Sequence, residues 1–213
     1  MTTAPLKIPT LVVGLTGSLA SGKSEAAEFF RKLGVPIIDA DVLAREASAP
    51  GTSGLALIKE HFGHEVLSAD GSLNRQALAR IVFADDKKRM LLEQILHPEV
   101  RSLFLKKLAT LSAQTTSQPQ FVLFVVPLLF ESHILYPEVS KVITISAPKP
   151  LCIARAIARN NCSPQEAEQR YQAQLPIQEK ELKSDWVIHN NTDRKHLEDE
   201  VKKVFEAILE CIS

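Results

Sequence analysis

Apolar residues along this chain gather into short unbroken runs, each followed by a longer stretch in which they recur every three or four positions. The first run, residues 11–15, breaks at Thr16-Gly17 and gives way to Ala26, Phe29, Phe30 and Leu33, with Glu25, Glu28, Arg31 and Lys32 between them. That is a strand and then an amphipathic helix, with Gly34 placed to stop it. Val35-Pro36-Ile37-Ile38 reads as a second, short strand whose proline suits an edge or a strand start. A short helix is predicted over 42–46 and another over 55–62, within a stretch rich in Gly and Pro. Residues 74–111 keep helical spacing, with breaks predicted at Asp85-Asp86 and at His97-Pro98, where Pro98 suits the first turn of a new helix.

A polar loop over 112–120 separates these helices from residues 121–126, apolar without alternation, as in a strand buried on both faces. Residues 141–146 form a fourth strand, closed by a Pro148-Lys149-Pro150 turn. A helix over 151–159 carries Arg155 and Arg159 one turn apart, on one face. Ser163-Pro164-Gln165-Glu166 is a capping-box start for a helix with Arg170 and Gln174, and a second short helix follows. Trp186-Val187-Ile188 is the fifth strand, and Leu197, Val201, Val204, Phe205, Ile208, Leu209 and Ile212 line one side of the last helix. Residues 1–9 read as a loose leader.

Strands alternating with helices predict an α/β protein with right-handed crossovers. With G-x-x-x-x-G-K-S over residues 17–24, between the first strand and its helix, the fold expected is a P-loop NTPase-type, five-stranded parallel sheet flanked by helices. The boundaries expected are a core of residues 1–46, 121–150 and 184–213, a helical acceptor-binding insertion over 47–120, and a helical lid over 151–183.

The chemistry concentrates where the first strand ends. Gly17-Ser18-Leu19-Ala20-Ser21-Gly22-Lys23-Ser24 matches G-x-x-x-x-G-K-S between a strand and a helix, the context of a phosphate-binding loop. Two glycines let backbone N–H groups turn inward, and the helix start aims its positive end at the same point. Lys23 reaches β- and γ-phosphates and the Ser24 hydroxyl holds Mg²⁺. Asp39 and Asp41 follow the second strand, at the sheet edge where ligands of open parallel sheets bind. One suits Mg²⁺ and the other a proton from an attacking hydroxyl; a plain helix cap is the competing role for Asp39. For Arg155 and Arg159 the choice is a lid over a nucleotide or a solvated basic face.

No acid ends the third strand, so the carboxylate of motor and transport ATPases is missing there. Neither N-K-x-D nor a strand followed by D-x-x-G occurs, which disfavours a GTPase. Lys and Arg number 25 against 25 Asp and Glu, so no global field draws nucleic acid or membrane. Cys152, Cys162 and Cys211 form no C-x-x-C pair and fit a reducing, cytoplasmic setting. A small-molecule kinase fits best, as a monomer or small homo-oligomer.

Thr16-Gly17 through Lys23-Ser24, Ile38-Asp39-Ala40-Asp41 with Ala44-Arg45, Leu96-His97-Pro98, Val126-Pro127-Leu128-Leu129-Phe130-Glu131, Arg155 with Arg159, and Asp185-x-Val187-Ile188-x-Asn190 occur in that order. Together they resemble the dephospho-coenzyme A kinase family over nearly the whole chain. The resemblance implies phosphoryl transfer from ATP, with Mg²⁺, to the ribose 3′-hydroxyl of dephospho-CoA, the last step of coenzyme A synthesis. It implies Asp41 as base, Arg45, Arg155 and Arg159 on substrate or nucleotide phosphates, and His97 and Glu131 on the acceptor side; from the residues alone, His97 reads as a helix cap or a satisfied polar group. Residues 17–25, with Asn190, are the implied nucleotide contacts. Ser18 and Ala20 stand where the family usually has glycines, Glu25 where it has Thr, His189 where it often has an acid and Thr192 where it often has Gly. Read from the residues alone, a kinase acting on another acceptor such as a nucleoside monophosphate, and a non-catalytic nucleotide-binding module, stay open.

Overall fold

The computed structural model describes residues 11–114, 121–131 and 136–212. The expected leader and part of the polar loop before the third strand lie outside these residues. Five parallel strands form one sheet in the order β2-β3-β1-β4-β5: β1 (Leu11–Gly17), β2 (Ile37–Asp39), β3 (Phe121–Val125), β4 (Val139–Ser146) and β5 (Trp186–His189). The central β1 pairs with β3 from Leu11↔Phe121 to Leu15↔Val125, and with β4 as far as Gly17↔Ile145. The short β2 is an edge strand, as its leading proline suggested, and Leu123 N donates to Pro36 O at 3.0 Å. All five residues of β3 are buried, which explains the absence of alternation there.

The chain divides into two compact units, residues 1–38 with 111–213, and residues 39–110. In the first, α1 (Lys23–Lys32) and α9 (Arg194–Ile212) pack together with the sheet. Their buried stripes, Ala26, Phe29 and Phe30 on one and Leu197, Val201, Val204 and Ile208 on the other, close on Val13, Leu15, Phe121, Leu123 and Ile143. Phe30 meets Phe121 edge to face with ring centroids 6.4 Å apart. After β4 come α6 (Lys149–Asn160), α7 (Pro164–Gln172) and α8 (Ile177–Leu182). The capping box of α7 forms as the sequence predicts: Ser163 Oγ accepts from Glu166 N at 3.2 Å, and Glu166 Oε2 accepts from Ser163 N at 2.8 Å.

The second unit is helical: α2 (Ala40–Ala47), α3 (Ser53–Phe62), α4 (Arg75–Ala84) and most of α5 (Asp86–Gln114). Ile58, Phe62, Val66, Leu78 and Ile95 make its core. The break expected between α4 and α5 occurs at Asp85, but the one expected at His97-Pro98 does not. Pro98 lies inside α5, on an exposed position one turn after the exposed Gln94. The carbonyl that loses its partner therefore faces water, which lowers the cost that normally ends a helix at proline.

Pro98→Ala is expected to restore that hydrogen bond and to stabilise the helical unit by about 1–3 kcal/mol. Urea unfolding and amide exchange over 86–110 measure it; an unchanged or lower midpoint would mean the ring is packed in rather than tolerated.

Candidate active site

β1 delivers the loop and α1 receives it. Gly17 has φ +151°, and a Cβ there would lie 2.4 Å from Ile145 O; Gly22 has φ +103°, and a Cβ would lie 2.2 Å from Asn190 Nδ2. Both glycines of the motif are thus fixed by backbone angle and by contact at once. Ala20 takes φ +51°, in the left-handed region, so this residue in a usual glycine place follows the loop's path at a cost of about 1–2 kcal/mol.

Lys23 folds back over the loop, its Nζ donating to Gly17 O at 2.9 Å and Ser18 O at 2.7 Å. Burial, and then the charge of Lys180, hold its pKa down to about 8; Arg159 pushes the same way, against Cys152 and Glu131. Ser18 is buried, and Ser24 stands exposed in the first turn of α1. Leu19 N donates to Gln174 Oε1 at 2.7 Å, so the segment after α7 is tied to the loop. Ser21 Oγ is buried without a hydrogen-bond partner among the described residues. Glu25, expected beside the nucleotide, pairs with Arg194 Nε of α9 at 2.7 Å.

Asn190, just past β5, is buried and braces the loop from the other side. Its Nδ2 donates to Ser21 O at 2.8 Å, and its Oδ1 accepts from Arg155 of α6 at 3.5 Å. Arg155 and Arg159 share α6 as predicted, Arg155 half-buried and Arg159 exposed within electrostatic reach of Lys23. Thr16 Oγ1 donates to Pro127 O at 3.1 Å, which fixes the turn after β3 beside β1. Along that turn Glu131 Oε1 accepts from Leu175 N at 3.0 Å and lies 2.5 Å from Lys180 Nζ. Lys180 and Gln174 as loop neighbours were missed from sequence. In Ile177-Gln178-Glu179-Lys180-Glu181-Leu182 a lysine among glutamates reads as solvated. The available signal was its i+3 spacing from Ile177, the other buried residue of α8. A cavity of about 530 Å³ is lined in part by Ala147, Tyr171, Ile177, His189, Asn191 and Gln174, the last of which is bonded to the loop at Leu19 N.

The other expected residues lie in the helical unit. Asp39 caps α2, its Oδ1 accepting from Asp41 N at 2.8 Å and Val42 N at 3.3 Å, so the capping role weighed from sequence is present. Asp41 and Arg45 are exposed residues of α2, and burial first, then the charge of Arg45, lower the pKa of Arg75. Arg75 in turn donates to Ser48 Oγ at 3.0 Å. His97 lies within α5, not at a helix start; burial and the charge of Arg101 push its imidazole below the ordinary value.

A parallel sheet with a phosphate loop on its central strand, and lysines and arginines gathered around that loop, defines a P-loop kinase-type α/β protein. The family model for dephospho-CoA kinase matches residues 11–196, and the chain belongs to that family. It is 40% identical to the Listeria monocytogenes dephospho-CoA kinase over 92% of this chain and 94% of that one. The solved dephospho-CoA kinase of Campylobacter jejuni is similar with a TM-score of 0.67 and 30% identity, covering 95% of this chain and 98% of that one. The Thermus thermophilus protein TT1252 gives a TM-score of 0.80 and 31% identity, over 96% and 98% of the two chains. The chain is therefore an ATP-dependent kinase of coenzyme A biosynthesis, which decides among the acceptors the residues alone left open.

Two outcomes follow from the loop. Ala20→Gly is expected to stabilise the fold by about 0.5–1 kcal/mol, the relief of left-handed strain less the added freedom of the unfolded chain, as read from urea midpoints. A destabilised variant would contradict the strain at Ala20. Phosphate binding favours the charged form of Lys23, whose pKa is about 8. Below that pH the ammonium is already present and ATP affinity is level. Above it binding must take up a proton, and affinity falls by up to roughly tenfold per pH unit. Calorimetry in two buffers of different ionisation enthalpy reads the uptake directly, and none between about pH 8 and pH 10 would rule this out.

Proposed function

We propose the following division of labour for transfer of the terminal phosphoryl group of ATP to the ribose 3′-hydroxyl of dephospho-CoA. The loop amides and the N-terminus of α1 hold the triphosphate, with Lys23 exchanging the Gly17 and Ser18 carbonyls for β- and γ-phosphate oxygens. Arg155 and Arg159 stabilise charge that develops on the transferring group, and residues 151–183 serve as the lid that carries them. The cavity beside the loop takes the nucleoside end of ATP. Asn190 braces the loop while its neighbours His189 and Asn191 line that cavity, and this supports the assignment. The single observation that carries the reading is the phosphate loop itself, with Lys23 over it and buried Asn190 joining it to Arg155.

Asp41 is the base that orients the acceptor hydroxyl and takes its proton, and Arg45 and His97 serve the acceptor from the helical unit. The resemblance of Ile38-Asp39-Ala40-Asp41 to the family's sequences supports this, as does the spending of one Asp39 oxygen on the helix cap. Glu131 is not assigned to the acceptor, because Leu175 N and Lys180 already engage its Oε1. Mg²⁺ would take the Ser24 hydroxyl and an Asp39 oxygen. Both are hard oxygen donors, and Mg²⁺ takes most of its remaining ligands from phosphate and water. When bound it neutralises phosphate charge. Among the described residues no helix is long and apolar enough to cross a membrane, and we place the reaction in the cytoplasm, where free Cys152, Cys162 and Cys211 stay reduced.

Asp41→Asn is expected to lower kcat by roughly 10²–10⁴-fold with ATP affinity little changed, whereas Lys23→Ala loses both turnover and ATP affinity. Steady-state rates with dephospho-CoA and direct ATP binding separate the two. An Asp41→Asn enzyme within a few-fold of the parent would remove Asp41 from the role of base.

A further inference from the structure

Lys180 is the one lysine among the described residues that is wholly buried, at 0% exposure, and the site as assigned above makes no use of it. Its position is set by packing. Ile177 is buried on the same helix face, and Ser184 Oγ both donates to Lys180 O at 2.8 Å and meets Thr144 Oγ1 of β4 at 2.7 Å. The side chain thus leaves a short helix anchored to the sheet beside the phosphate loop. Its ammonium lies 2.5 Å from Glu131 Oε1, an ion pair without hydrogen-bond geometry, and the other oxygen, Glu131 Oε2, is buried with no hydrogen-bond partner among the described residues.

A buried pair that serves only the fold is stabilising when its donors and acceptors are saturated, since each unpaired group in a low dielectric is costly. Here both sides are half-used: Lys180 has donors to spare, and Glu131 Oε1 is shared with Leu175 N. The surroundings are also unbalanced. The charges of Lys180 and Arg159 both bear on Lys23, Arg155 adds a fourth cation at the loop with a buried Nη1 that has no hydrogen-bond partner among the described residues, and Glu131 is the carboxylate set against them. Cations gathered this closely repel, and a polyanion is what relieves them.

We propose that Lys180 is a further cation of the phosphoryl site, whose ammonium, shared with Glu131, holds the terminal phosphate of the bound triphosphate. The proposal rests on the loop being the triphosphate site. Glu131 acts as its standing counter-charge, which keeps a buried ammonium tolerable until the nucleotide supplies a stronger one. Because ADP lacks the phosphate in question, Lys180 contributes to ATP binding and to transfer, and little to ADP binding.

The test compares the parent enzyme, Glu131→Gln and the double variant Glu131→Gln/Lys180→Met. Removing both charges together avoids leaving a lone buried carboxylate. Dissociation constants for ATP and for ADP are measured by calorimetry, with kcat on dephospho-CoA and thermal midpoints alongside. Glu131→Gln is expected to keep or increase the preference for ATP over ADP. The double variant is expected to lose that preference by about tenfold or more and to lose about 10²-fold in kcat, while ADP affinity stays within about threefold. A double variant with the parental ATP-to-ADP ratio overturns the proposal, whatever its stability. Lys180→Gln in the same background replaces it should the methionine variant fail to fold; if neither folds, Lys180 serves the fold and the proposal falls. A parent enzyme that binds neither nucleotide would instead refute the phosphate-loop reading itself.

Discussion

Asn190 stands where a side chain at Gly22 would begin, and the rest of the site depends on that contact. Because Gly22 lacks a Cβ, the amide of Asn190 comes up against the loop backbone and bonds Ser21 O at 2.8 Å. The same side chain accepts from Arg155. One buried amide therefore joins three pieces of chain distant in sequence: the loop after β1, the end of β5, and the α6 helix that brings the arginines. Any residue but glycine at position 22 would push them apart, and the electrostatics of the loop would lose their geometry.

On that frame the charges are arranged under tension. Lys23 is lowered to about 8 by burial and by its cationic neighbours, so part of the stabilisation a phosphate brings is relief of repulsion already present. The loop also holds conformational strain at Ala20, with φ +51°. Neighbouring contacts keep both in place: Gln174 on Leu19 N, Asn190 on Ser21 O, and Lys23 on two loop carbonyls.

The five strands and the loop between the first of them and its helix were legible in sequence because each strand is short, apolar and bounded, whereas the strand order β2-β3-β1-β4-β5 was not. Pro36 suggested an edge strand or a strand start, since proline cannot donate to a ladder, and β2 is at the edge and begins just after it. Pro98 misled by the same physics, for sequence does not show that the carbonyl it orphans faces water. Lys180 was invisible for a different reason. Its neighbours in sequence are polar, and its burial is decided by β4 and by the turn carrying Glu131, roughly fifty residues earlier in the chain. Which of Asp39 and Asp41 caps α2 was likewise a matter of backbone geometry that residue type leaves open.

The pairing of Leu11 with Phe121, and of Val12 with Val139, sets the order of assembly during synthesis. β1 has no neighbour in the sheet until more than a hundred residues have followed it. At roughly 5–20 residues per second it waits many seconds on the ribosome as an exposed apolar segment. Residues 39–110, whose core joins helices close together along the chain, have no such wait. The catalytic loop, first among these elements to be translated, is thus among the last to take its shape.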